Sequence, residues 1–227
     1  MCLNYLTSST RSMKNNKKYN YILFDWDGTL ARTLDVWFEA EKEMLKQYGI
    51  TIPDEQLISS FGDWEFGKKL GVKDNDKFIQ ELLVLVDEML KRVELYANTK
   101  EVLLKLIEKG KRLALVTTAK KQNIEPQLER FGFKDIFEVV LTAEDVTNHK
   151  PDPEVVNKAI DILNAKKEET LIIGDGPKDI QAGKLAGITT VSFYPKENER
   201  FYSEASIKSH GADFVINNLL DLLKVVN

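Results

Sequence analysis

The sequence predicts an α/β protein, a parallel β-sheet with helices on both faces, carrying one all-helical insertion after its first strand. Three observations carry this. Short apolar runs recur at 21–24, 112–116, 137–141, 171–173, 189–193 and 213–216, as expected of strands buried on both faces. Helical patterns lie between most of them, at 99–109, 122–131, 153–164, 177–186 and 218–226. Such alternation builds parallel βαβ units. The stretch 33–98 breaks the rhythm and holds no convincing strand.

Taken in order, residues 1–18 are rich in Ser, Thr, Asn and Lys, with Arg11, Lys14, Lys17 and Lys18 and no acid. They read as a flexible N-terminal extension, with Met13 as an alternative start; a transit peptide is the competing reading. The first strand stops at Asp25, where acids and a glycine break the apolar run. In the insertion, 35–48 and 76–96 read as long amphipathic helices, with a shorter helical piece at 65–70. Gly49, Pro53, Gly62 and Gly71 fall in the links. Gly110, Gly132 and Gly187 sit where later helices should stop. Ligands of such sheets bind at the carboxyl ends of the strands. An insertion placed directly after the first strand should therefore cover that edge as a cap. The expected division is an extension at 1–18, a core at 19–32 and 99–227, and a helical cap at 33–98.

Composition narrows the function classes. Hydrophobic residues make up 43% and charged residues 30%, which suits a globular protein and argues against wholesale disorder. The formal charge of −4 offers no broad attraction for nucleic acid or anionic lipid, so neither is an expected partner. No apolar run approaches the ~20 residues of a membrane helix. The single cysteine, Cys2, excludes an internal disulfide framework and fits a reducing compartment, so a cytoplasmic location is expected. Monomer and dimer are both open.

The chemistry-bearing residues cluster at strand ends. Asp25 and Asp27 leave the first strand two residues apart, followed by Gly28 and Thr29. An acidic Asp-Gly turn is the plain alternative, but paired acids after a buried strand are better explained by a cation or another specific partner. Thr117 and Thr118 end the second strand with hydroxyls. Lys150 stands before Pro151-Asp152-Pro153, in the loop after the third strand. Leu171-Ile172-Ile173-Gly174-Asp175 repeats the strand-into-acid pattern, with Asp179 four residues later. Singly, Thr117 reads equally as a strand residue, Lys150 as a solvated charge and Asp179 as a helix N-terminal acid.

In their order along the chain these four elements resemble the haloacid dehalogenase superfamily. The motifs are Asp25-Trp26-Asp27-Gly28-Thr29, Thr117, Lys150, and Gly174-Asp175-Gly176-Pro177-Lys178-Asp179. The resemblance runs from about residue 21 to the C-terminus and favours the phosphoglycolate phosphatase and β-phosphoglucomutase group. It implies a Rossmann-like core with a helical cap, a Mg²⁺ cofactor and a small phosphorylated metabolite as substrate. It also implies metal ligation by Asp25, the Asp27 carbonyl and Asp175, with Asp179 either binding directly or orienting the metal's water shell. Lys150 then neutralises Asp25 and a phosphoryl oxygen, while Thr117 donates to another. Gly28 and Thr118 complete the expected phosphate cradle.

The resemblance makes Asp25 the nucleophile of an aspartyl-phosphate mechanism, with Asp27 as general acid and then base. Asp27 must be protonated to act first as the acid, and negative charge nearby raises its pKa in that direction. An acid at 27 favours phosphoryl transfer over dehalogenation, because halide leaves without a proton. The mutase branch uses basic cap residues, whereas His149 and His210 both fall outside the cap. A mutase is the runner-up reading, and a non-catalytic phosphate-binding module the third. A phosphonate hydrolase with a cap Schiff-base lysine (Lys46, Lys68 or Lys69) has the least support. Phe61-Gly62-Asp63-Trp64 is the expected substrate-reading loop, against the alternative that its aromatics only pack between cap helices. Arg32 departs from the family, many of whose members carry an acid there. It reads as an exposed hinge charge, or as a contact for an anionic leaving group.

Overall fold

The computed structural model describes residues 18–226; the extension expected over 1–18 lies, apart from Lys18, outside them. In chain order the elements are β1 (Tyr21–Phe24), α1 (Thr33–Gln47), α2 (Asp54–Ser59), α3 (Phe66–Lys69), α4 (Asn75–Leu90) and α5 (Thr99–Glu108). There follow β2 (Arg112–Val116), α6 (Lys121–Phe131), β3 (Val139–Leu141), α7 (Glu154–Leu163), β4 (Thr170–Gly174) and α8 (Pro177–Ala186). The chain ends with β5 (Thr189–Phe193), α9 (Glu204–His210), β6 (Phe214–Ile216) and α10 (Leu222–Val225).

All six strands form one parallel sheet in the order β3-β2-β1-β4-β5-β6, a Rossmann-like α/β fold. The chain steps outward from β1 to β3, then returns past β1 to lay down β4, β5 and β6 on the other side. Connections therefore leave β1 and β4 in opposite directions. That reversal opens a crevice at their carboxyl ends, where open α/β sheets bind ligands. Phe24 lies opposite Ile173, and the Asp25 N–H donates to the Ile173 carbonyl at 3.0 Å. Register alone thus brings the residues following β1 beside those following β4.

Ile22, Leu23, Phe24, Leu115, Val116, Leu171, Ile172 and Ile173 are fully buried, which explains why these strands read as continuous apolar runs. Leu23, Ala114, Val116 and Ile172 pack with Val155, Val156, Ala159, Ile160 and Leu163 of α7 and with Ala182 and Ala186 of α8. Burial of this kind, at about 25 cal/mol per Å² of apolar surface, holds the helices to the sheet.

The chain divides into two compact units, Met1–Ala31 with Leu95–Asn227, and Arg32–Glu94. The second holds α1 to α4 and no strand among its residues. In it, Phe78, Leu82, Val86 and Leu90 of α4 recur every fourth residue and are buried, and α1 packs against α4. Phe78 meets both Tyr48 and Phe66 edge-on, at centroid distances of 5.1 and 5.3 Å. Glu41 is buried in this apolar setting with no partner for Oε2, and burial pushes its carboxyl up to about 8.

Several elements differ from the sequence pattern. Helix α4 ends at Leu90 rather than near 96, because Arg92 and Val93 turn back onto the Met89 and Leu90 carbonyls. Leu95 then bridges Ala31, and the Tyr96 N–H donates to Leu30. These long-range backbone bonds outweigh local helix propensity. The helix expected over 218–226 is a 3₁₀ turn at Leu219–Asp221 followed by α10, since the Asn218 side chain takes the Leu220 N–H. Helices α2 and α9 escaped the pattern altogether. Each is short and buries one residue, Leu57 and Ile207 respectively, so neither generates a period.

Trp26 anchors the loop after β1. It is fully buried; its indole N–H donates to the Gln127 side chain of α6 at 3.0 Å, and Gln127 donates onward to the Asn123 carbonyl at 2.7 Å. The Trp26 carbonyl accepts from Leu30 and Ala31, each at 3.0 Å. Gln127→Leu removes the indole's partner and should cost about 1–3 kcal/mol by denaturant unfolding. The double variant Trp26→Phe/Gln127→Leu should recover part of that loss.

Candidate active site

Each acid reaches the crevice for a local reason. Asp25 follows β1, and Asp175 follows β4. Asp179 lies in the first turn of α8, which opens with Pro177 at a position that needs no N–H. All three are buried. One oxygen from each lies within 4.8 Å of the others. Lys150 comes from the loop after β3 and is also buried. Its ammonium donates to Asp25 Oδ1 at 2.6 Å, Asp179 Oδ1 at 2.5 Å and the Val116 carbonyl at 3.0 Å. Its three protons are thereby used.

One ammonium does not balance three buried carboxylates. Burial pushes Asp25 up to about 8, with the Asp179 and Asp27 charges adding and Lys150 pulling the other way. Asp175 is held well above the usual carboxylate range by burial, then by Asp179 and Asp25. Burial opposes the charge on Lys150, yet Asp179 and Asp25 outweigh it and hold its ammonium above the usual lysine range. Asp175 Oδ2 is buried without a hydrogen-bond partner. An oxygen-only set, short of positive charge and with one oxygen unclaimed, fits a hard divalent cation.

Two glycines make the approach possible. Gly28 adopts φ +71°, and a Cβ there would lie 2.5 Å from Asp175 Cγ. A Cβ at Gly174 would overlap the Asp179 side chain. Asp27 is half-buried and accepts from the Thr117 hydroxyl at 3.4 Å, while Thr117 Oγ1 accepts from the Ala119 N–H at 3.0 Å. Thr118 is exposed. Asp25, Asp27, Gly28, Thr117, Lys150, Asp175 and Asp179 therefore meet at one edge of the sheet.

The remaining candidates belong to the helical unit. Arg32 pairs with Asp35 at 2.7 Å. Phe61 donates its N–H to the Ile58 carbonyl at 3.1 Å, and Gly62 turns with φ +83°. Lys69 pairs with Asp63 at 2.5 Å and, with the Glu65 N–H, holds its carboxyl below the usual range. Trp64 is 54% exposed and meets Trp37 edge-on at 5.8 Å.

Three residues that support the site had no sequence signal. Gln127 holds Trp26. Asn198 donates to the Gly28 carbonyl at 3.1 Å, and Tyr202 lies near enough to Asp175 for each to shift the other's titration. Gln127 and Asn198 lie 101 and 170 residues along the chain from the motif residues they serve.

The fold and the acid set define an α/β enzyme with a cation-ready centre at the sheet's switch point. Residues 22–193 match the haloacid dehalogenase-like hydrolase family, and the chain belongs to it. A relative named pyrophosphatase PpaX, from Halalkalibacterium halodurans, is 31% identical over 220 residues, covering 91% of this chain and 96% of its own. A protein named a haloacid dehalogenase-like hydrolase, from Bacteroides fragilis, superposes with a TM-score of 0.76 at 30% identity, covering 90% of this chain and all of its own. A protein named a β-phosphoglucomutase, from Thermotoga maritima, reaches the same TM-score at 22% identity, covering 92% of this chain and all of its own. At that identity the likeness is one of fold.

Two outcomes follow. Asp25 and Asp175 keep their protons to higher pH when folded than in the unfolded chain, where carboxyls titrate near 4. Stability of the chelated protein should therefore fall as pH rises from about 4 to about 8, with Glu41 adding to the trend. Thermal unfolding across that range checks this, and Asp175→Asn should flatten the slope. Gly28→Ala, strained at positive φ and overlapping Asp175, should cost more than about 1 kcal/mol by denaturant unfolding.

Proposed function

We propose that this hydrolase is a Mg²⁺-dependent phosphatase that forms an aspartyl-phosphate on Asp25. The observation that carries the reading is the buried Asp25–Asp175–Asp179 cluster with Lys150 as its one ammonium and an unclaimed oxygen on Asp175. Asp25, Asp175 and the Asp27 carbonyl would hold the cation, with Asp179 beside them. The bound cation supplies positive charge that keeps the carboxylates ionised and offsets the repulsion between Asp25 and a phosphate dianion.

The chain's own groups do the rest. Lys150 favours the ionised form of Asp25 and aims it, and stabilises charge on the transferring phosphoryl group. Thr117, next to Asp27, donates to a phosphoryl oxygen. Asp27 gives a proton to the leaving oxygen and afterwards takes one from the water that cleaves the aspartyl-phosphate. The buried indole of Trp26 keeps Asp25 and Asp27 at fixed spacing, so attack and proton transfer occur from one rigid loop. The helical unit 32–94 is proposed as the substrate-recognition unit, with Phe61, Gly62, Asp63, Trp64 and Arg32 as its substrate-reading residues.

The substrate is a small phosphorylated metabolite, and inorganic pyrophosphate is the first compound to assay, given the 31% identity to PpaX. A panel of pyrophosphate, phosphoglycolate and sugar phosphates, with Mg²⁺ or chelator, tests the reading. Phosphate release should need Mg²⁺, and Asp25→Asn should reduce it to background. Asp27→Asn should lower kcat by about 10²–10⁴-fold, and Lys150→Ala by about 10²-fold or more. Interconversion of sugar phosphates with little phosphate released would replace this reading with a mutase. Failure of the metal-loaded protein across the panel would leave a phosphate-binding module.

A further inference from the structure

Gly28 is the residue of the β1 loop with the least intrinsic restraint, and it cannot be exchanged for a stiffer one. Its φ is +71°, and a Cβ would lie 2.5 Å from Asp175 Cγ. Glycine is the most permissive residue in φ and ψ, so the two peptide groups that flank it turn unless neighbours hold them. The first of these peptides carries the Asp27 carbonyl, the proposed backbone ligand for the cation. A trans peptide is planar, with its C=O and N–H pointing opposite ways. The Gly28 N–H donates to the Ala31 carbonyl at 3.0 Å, and that bond aims the Asp27 carbonyl in the opposite direction.

The second peptide is held from a segment that belongs to no sequence motif, the 3₁₀ turn Lys196–Arg200 after β5. In it Asn198, 1% exposed, donates from Nδ2 to the Gly28 carbonyl at 3.1 Å. A carbonyl only accepts, so the amide end that faces it is the NH₂ and Oδ1 faces the other way. There Oδ1 accepts from the Tyr96 hydroxyl at 2.5 Å. Tyr96 is buried, its ring edge-on to Phe193 at 5.2 Å, and its N–H donates to the Leu30 carbonyl at 3.0 Å. The Asn198 backbone is fixed as well: its N–H donates to the Pro195 carbonyl, and its own carbonyl accepts from Phe201 and Tyr202, each at 3.0 Å. The path from Gly28 through Asn198 and Tyr96 to Leu30 leaves the β1 loop and returns to it. One chain of hydrogen bonds thus grips the loop at two points.

We propose that Asn198 is a positioning residue for the cation site: its amide fixes the Gly28 peptide and, through it, the direction of the Asp27 carbonyl. The two peptides meet at the Gly28 Cα. With Ala31 holding one and Asn198 the other, both torsions of the glycine are set. Without the amide the glycine regains freedom about ψ, and the Asp27 carbonyl loses one of the constraints on its direction. A neutral amide suits the position, because a lysine or arginine would add positive charge and compete with the cation for the acids. Groups outside a ligand set that orient its members change metal affinity by about 10- to 100-fold when removed. The inference rests on the proposed Mg²⁺ site.

Mg²⁺ binding by calorimetry and Mn²⁺ binding by electron paramagnetic resonance, on the full chain without substrate, test this. Asn198→Leu, close in size but without a donor, should weaken both about tenfold. In steady-state assays it should raise the Mg²⁺ concentration for half-activation by a similar factor. Tyr96→Phe, which removes the hydroxyl that Oδ1 accepts from, should weaken binding by a smaller factor. It serves as the readout if Asn198→Leu does not fold, and unchanged affinity in it then overturns the proposal. Tyr194→Phe is the control: that hydroxyl donates to the Tyr202 carbonyl at 2.8 Å, in the same segment, and its loss should leave affinity unchanged. Equal weakening there overturns the proposal, because the order of the segment and not the amide is then responsible. A lowered unfolding midpoint in Asn198→Leu with full cation affinity makes Asn198 structural only; the proposal then falls while the metal site stands. An unsubstituted protein that binds neither cation sinks the metal site and this inference together.

Discussion

The Lys150 ammonium, buried between Asp25 and Asp179 with its third proton on the Val116 carbonyl, is the interaction on which the rest of the site depends. It draws the loop after β3 onto the ends of β1 and β2 and onto the first turn of α8. A buried ion pair of this sort is weak evidence for stability, because desolvation can exceed the Coulombic gain. Here the imbalance is plainer still: two partners for one ammonium, and Asp175 beside them with an unclaimed oxygen. Clusters that shift several pKa values at once, in a crevice, are characteristic of functional sites. The fold tolerates the electrostatic cost because strong apolar burial in β1, β2 and β4 surrounds it.

Sheet order decides where that cluster forms. Because β4 returns to the side of β1, their exits lie in register, and the acids after each strand become neighbours. Gly28 and Gly174 then let the two loops approach to distances that any Cβ would prevent. Trp26 and Gln127 pin the first loop from within, and Asn198 pins it from the segment after β5. The acids are thus held by at least three parts of the chain, and this rigidity lets a single carboxylate be aimed at a substrate.

Much of this was legible locally. Strands buried on both faces are apolar throughout, and the acids that end β1 and β4 interrupt those runs, so the strand ends could be read directly. Helix α7 alternates apolar and polar residues at the helical period, because one side packs on the sheet. Short elements with one buried residue, α2 and α9, leave no such trace. The end of α4 was misread for a different reason. Residues 91–96 have no strong helix breaker; 92 and 93 turn back on the helix end, and the distant Leu30, Ala31 and Arg32 backbone pairs with 94–96. In the helical unit, the pairing of Asp63 with Lys69 and of Arg32 with Asp35 depends on how turns place long side chains.

By itself the sequence supplied the residue types of the site and, through their resemblance to a known family, the class of chemistry. Two acids after one apolar strand, one after another, an acid four residues on and a lysine between them specify residue types and order, and order is local information. The tertiary structure decided everything that depends on partners remote in the chain. It put Lys150 on Asp179, left Asp175 Oδ2 unclaimed, and brought Gln127 and Asn198 to loop residues 101 and 170 positions away along the chain. The physical reason is that periodicity and strand ends are written in neighbouring residues. Hydrogen bonds across a parallel sheet are set by which strand lies beside which, and no short window of sequence contains that.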